Sequence, residues 1–103
     1  MISYASRKQS ASGVALTAAT PVKLFATNNP RVGYAVWVPA GVTLYIKEIP
    51  AGTTAPTAGQ MNAGQVEAIT GPLQYESGAR ETADIYGLTA APVTLYPEEI
   101  IGQ

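Results

Sequence analysis

No stretch of this chain holds an apolar face at helical spacing for three turns without meeting a proline or a glycine. That punctuation argues against a helical architecture. The 10 glycines and 8 prolines leave the apolar residues in short runs rich in β-branched and aromatic side chains. Such runs, separated by turn residues, are the pattern of short strands. The best helical segment, Gln60 to Ala68, is long enough for a turn or two.

The runs give a strand map. Val14–Thr17 is a weak first strand, and Val22–Ala26 places Val22, Leu24 and Ala26 on one face. Asn28-Asn29-Pro30-Arg31 is a turn by composition. Val32–Val38 is the strongest strand: its even positions are apolar, while Ala35 and Trp37 occupy the other face. Both faces therefore read as covered, which predicts a central strand with Trp37 in the core. Pro39-Ala40-Gly41 reads as a type I turn with proline at its second position, and Val42–Lys47 alternates cleanly after it. The two strands are expected to form an antiparallel hairpin that brings Tyr34 near Tyr45.

Residues 50–62 break the pattern and are expected to be a long exposed loop, of the kind that often carries binding residues. Val66–Ile69, Leu73–Glu76, Ala83–Leu88 and Val93–Tyr96 complete seven or eight strands, the last two read as a pair, with Glu98-Glu99 as a solvated strand end. Turn signals every 8–12 residues or so predict an all-β fold: a small antiparallel β-sandwich or a jelly-roll-like barrel. At 103 residues there is room for one domain over 13–103, preceded by a serine-rich flexible arm over 1–12. A chain this short leaves much of its surface exposed, so oligomerisation is expected.

Composition limits the chemistry. There is no cysteine and no histidine, so disulfides, thiolate chemistry and the ordinary catalytic triad are absent. A net charge of −1 with scattered basic residues argues against direct nucleic-acid or membrane-surface binding. Met1–Lys8 does not read as a signal peptide, and no run approaches the roughly 18 apolar residues of a membrane span. The seven acidic residues are dispersed, so no metal loop is expected. Glu67 and Glu76 are the best carboxylates for a small hydrolase, the weakest reading of the chain. No catalytic, cofactor or metal residue is assigned. The expected contact residues are Tyr34, Tyr45, Tyr86 and Tyr96, with Thr53, Thr54 and Thr57 of the loop. Tyrosines on a surface of few charges suit a protein interface or the stacking of sugars.

The order of segments adds a resemblance. Lys23-Leu24-Phe25-Ala26-Thr27-Asn28-Asn29-Pro30-Arg31, an apolar strand, Val42-Thr43-Leu44-Tyr45-Ile46 and Thr54-Ala55-Pro56-Thr57-Ala58-Gly59 follow one another. They are succeeded by Ile85-Tyr86-Gly87-Leu88, Pro92-Val93-Thr94-Leu95-Tyr96 and a closing acidic pair. Over roughly residues 20 to 99 this resembles small all-β virion accessory proteins of tailed bacteriophages, which decorate capsids or sit in tail attachments. The resemblance implies that Asn29, Pro30 and Arg31 start a central strand and that the 50–62 loop is an exposed insertion. It also implies a non-enzymatic structural protein of the virion, assembled in the host cytoplasm. Its partner would be a capsid or another virion protein, and a homo-oligomer is expected, trimer before dimer. No large receptor-binding extension is present, which favours decoration or cement over a fibre. The alternative is a carbohydrate-binding or host-adsorption module of the tail.

Overall fold

The computed structural model of the chain describes residues 6–9, 13–26, 31–50, 52–61, 66–77 and 83–101. These form an all-β fold of ten strands: β1 (Ser6–Gln9), β2 (Val14–Leu16), β3 (Val22–Phe25), β4 (Arg31–Val38), β5 (Thr43–Pro50), β6 (Glu67–Thr70), β7 (Leu73–Ser77), β8 (Ala83–Leu88), β9 (Val93–Leu95) and β10 (Glu98–Ile101). One 3₁₀ turn, Ala58–Met61, interrupts the segment between β5 and β6. A first sheet has the order β1-β10-β4-β7 and a second the order β3-β8-β5-β6, while β2 and β9 form a two-stranded ribbon. Every pairing is antiparallel.

One core cluster draws on all three sheets. Tyr34, Val36 and Val38 come from the first, Leu44, Ile46, Ile69 and Ile85 from the second, and Leu16 and Leu95 from the ribbon. Side chains of all three sheets share one apolar layer, an arrangement like that of a small β-sandwich. Burying each such aliphatic side chain contributes roughly 1.5–3 kcal/mol. β4 is central, with β10 on one side and β7 on the other.

The hairpin expected from β4 and β5 does not form. β4 pairs with β7 and β10, and β5 with β6 and β8, so the chain passes from one sheet to the other at Pro39–Val42. The Val42 N–H donates to the Pro39 carbonyl at 3.2 Å, which makes Pro39 the first residue of this turn, not the second. The positive φ then falls on Gly41, at +80°, where a side chain would be strained. The apolar faces of β4 and β5 thus confront each other across the core. β8 and β9, also read as a pair, are separated likewise: β8 lies between β3 and β5, and β9 pairs with β2.

The β6–β7 connection makes the same crossing beside the first. Gly71 donates its N–H to the Val42 carbonyl at 2.9 Å. A Cβ at Gly71 would run into the carbonyls of Val38 and Pro39, so the two crossings pack backbone on backbone.

Two strands lie where none was expected. Ser6–Gln9, within the 1–12 arm, pairs with β10, and Glu98-Glu99, read as a solvated end, opens β10 between β1 and β4. The register sets Lys8 opposite Glu99. Of the turn expected at 28–31, only Arg31 is described, as the first residue of β4. Asn29 and Pro30 lie outside the described residues, as do the remainder of the arm and residues 51 and 62 of the long loop.

Candidate functional site

Trp37 is the clearest departure from the sequence reading. Val36 and Val38 point into the core, so Trp37 points away from it, as the alternation requires. The expected cover on that side holds at Ala35, which is fully buried, and fails at Trp37, which is 52% exposed. The cause is the length of β10. Its pairing with β4 begins at Glu98 opposite Ala35, so Trp37 has a cross-strand neighbour only on the β7 side, Gln74. Pro97, which is buried and has no N–H to donate, precedes β10 and separates it from β9.

Tyr96 flanks the space this leaves. It is 50% exposed and shares with Trp37 a groove of about 350 Å³. Gln74, Thr94 and Glu98 supply polar groups to the groove, and Pro39 and Leu95 complete its wall. Gly13 holds one side of the site in place. With φ at +75°, its backbone lies so near that a Cβ there would sit 2.8 Å from Tyr96 Cε1 and 2.7 Å from Thr94 Cγ2. The tyrosine ring is therefore backed by main chain. The third half-exposed large apolar residue among those described, Leu73, opens β7 just before Gln74.

On the outer face of the second sheet the long loop forms a distinct surface. Met61, 1% exposed, packs with Ile49, Tyr86 and Leu88 in a second apolar cluster, against which Tyr45 and Val66 lie half-buried. Pro56 is also buried. Between these anchors the Thr57 N–H donates to Gln60 Oε1 at 2.9 Å, and Lys47 Nζ donates to the Gln60 carbonyl at 3.4 Å. Thr53, Thr54 and Thr57 stay exposed. The loop is thus pinned down at two points and presents its threonines outward.

A second cleft, of about 490 Å³, is lined by Tyr34, Ile46, Glu48, Glu67 and Tyr75 among others. The Tyr34 hydroxyl donates to Glu48 Oε2 at 3.0 Å. Burial pushes the Tyr34 phenol well above its ordinary value, and the nearby charge of Glu48 adds to the effect. That phenol stays protonated near neutral pH and serves as a fixed hydrogen-bond donor. The register sets Glu67 opposite Ile46 and so on the same face as Glu48. Glu76, the other carboxylate considered for hydrolysis, alternates with the half-buried Tyr75 and lies on the outer face of the first sheet. Glu67 and Glu76 are therefore not brought together.

The seven expected contact residues divide accordingly. Tyr96 and the three threonines are at the surface, and Tyr45 is half-buried. Tyr34 is 0% exposed, and Tyr86 lies beneath the loop with the Lys23 ammonium 5.8 Å from its ring centroid, so neither presents a ring to solvent. Tyr34 and Tyr45 are not neighbours: one faces the core from the first sheet, the other the outer cluster of the second. Trp37, Gln74, Thr94 and Glu98 escaped the sequence reading. The one local signal for them is Pro97, which stops β10 short of Trp37.

No protein-family model matches the chain, and no match was found among curated proteins or solved structures.

Proposed function

We propose that this chain is a non-enzymatic structural protein of a tailed-phage virion, a decoration or cement module that docks on the assembled capsid through its long loop. The observation that carries the docking surface is the anchored loop. Pro56 and Met61 fix it from below while Thr53, Thr54 and Thr57 remain exposed. A surface already held in its bound shape loses less conformational entropy on contact, which favours binding. The sequence resemblance over roughly residues 20 to 99 supports the virion setting, and the low charge suits a contact built on shape and neutral hydrogen bonds. Capsid sites lie on symmetry axes, so the module acts as a closed homo-oligomer, trimer before dimer.

Co-sedimentation with assembled heads of the phage that encodes it tests this reading. Saturable binding to heads, none to free coat monomers, and weakened binding of a Thr53→Ala/Thr54→Ala/Thr57→Ala variant are expected. Absence of binding to heads overturns it.

A further inference from the structure

The docking loop lies on the outer face of the second sheet, whereas Trp37 lies on the outer face of the first, with the shared core between them. A module seated through its loop would leave the Trp37–Tyr96 groove free for another ligand. We infer that this groove is a binding site for a neutral carbohydrate, taking one or two pyranose rings of a glycan.

The chemistry of the walls selects that class. Two half-exposed aromatic rings offer apolar, electron-rich faces, and the C–H face of a pyranose carries the weakly positive hydrogens that pack on such a ring. The hydroxyls around the sugar's rim need both donors and acceptors. The Gln74 amide supplies both, the Thr94 hydroxyl supplies either, and the Glu98 carboxylate accepts. The groove's volume of about 350 Å³ falls at the small end of ligand sites.

The lining also argues against the other small ligands. Among the described residues the lining holds no lysine or arginine to offer a phosphate, a sulfate or a nucleic-acid backbone a counter-charge. Preorganisation favours a weak but specific contact. Trp37 stands on a central strand, and Tyr96 is backed by the Gly13 main chain, so ring positions are set before the ligand arrives.

Trp37 is the chain's one tryptophan, so its fluorescence reads this groove directly. The purified protein is titrated to millimolar levels with soluble oligomers of glucose (α- and β-linked), mannose, galactose and N-acetylglucosamine. A saturable change in emission with at least one series is expected. Tyr96→Ala should weaken it about tenfold, the loss of one stacked ring, while Tyr96→Phe keeps most of it. Circular dichroism checks that each variant is folded. No saturable change with any series, or equal binding by Tyr96→Ala, overturns the proposal. A change produced by assembled phage heads and by no saccharide also overturns it, and identifies the groove as a protein contact.

Discussion

The Tyr34 hydroxyl donates to Glu48 Oε2 at 3.0 Å, linking β4 of the first sheet to β5 of the second where the core gives way to an open cleft. The tyrosine is sealed from water, whereas Glu48 is exposed. Removing the hydroxyl in Tyr34→Phe leaves an acceptor that water can satisfy, so the cost should be about 1 kcal/mol in urea unfolding. Tyr34→Ala empties a ring-sized space and should cost about 3–5 kcal/mol. Equal losses for the two variants would contradict this division.

Alkaline pH provides a second test of the same residue. The folded-state pKa of Tyr34 is raised by burial, then by the Glu48 charge, above the unfolded value of about 10. Its contribution is fully present below that value. Above it the unfolded chain loses this proton while the folded chain keeps it, so stability falls by up to about 1.4 kcal/mol per pH unit. Tyr34→Phe should remove that component of the slope. An identical alkaline slope in the two proteins would show that Tyr34 does not cause it.

Gly71→Ala should be among the most damaging single-methyl changes. Its Cβ meets backbone carbonyls of Val38 and Pro39, which cannot rotate away as a side chain can. Overpacking of this kind costs about 1–3 kcal/mol or more, read as a lowered midpoint of thermal unfolding. Gly41→Ala meets no atom within 4 Å but is strained at its φ of +80°, so its loss should be smaller. The reverse ranking would refute the backbone-on-backbone packing of the two crossings.

Much of this was legible in the sequence, and the division has a physical basis. Alternation is local, so it located β2 to β9 and correctly set Tyr34 and Trp37 on opposite faces of β4. Pairing is not local. Pro39-Ala40-Gly41 serves a hairpin or a crossing between sheets equally well, and the choice rests on which strands lie alongside. Whether Trp37 is covered depends on where β10 stops, information held in Pro97, sixty residues further along the chain. The loop hid its anchors for a similar reason: Pro56 and Met61 are isolated apolar residues with no period to reveal them.

Those two corrections change what mutations should do. Trp37→Ala should cost about 1–2 kcal/mol, because about half of the ring's surface is already in water, in place of the 3–5 expected of a core tryptophan. Met61→Ala should cost about 2–5 kcal/mol, far more than a change in a loose loop. Deleting Thr53 to Thr57 removes Pro56 as well and should lower stability, whereas alanine at the three threonines should leave it nearly unchanged. Chemical denaturation of the four variants would give the ranking. A neutral Met61→Ala would show that the loop is not anchored.

The most direct test of the account is peptide-level hydrogen exchange on the protein, free and bound to assembled phage heads. Slowed exchange over residues 52–61 and the adjoining β5, with residues 93–98 unchanged, is the result expected of docking through the loop. Protection confined to residues 93–98, or none in either segment, would contradict it.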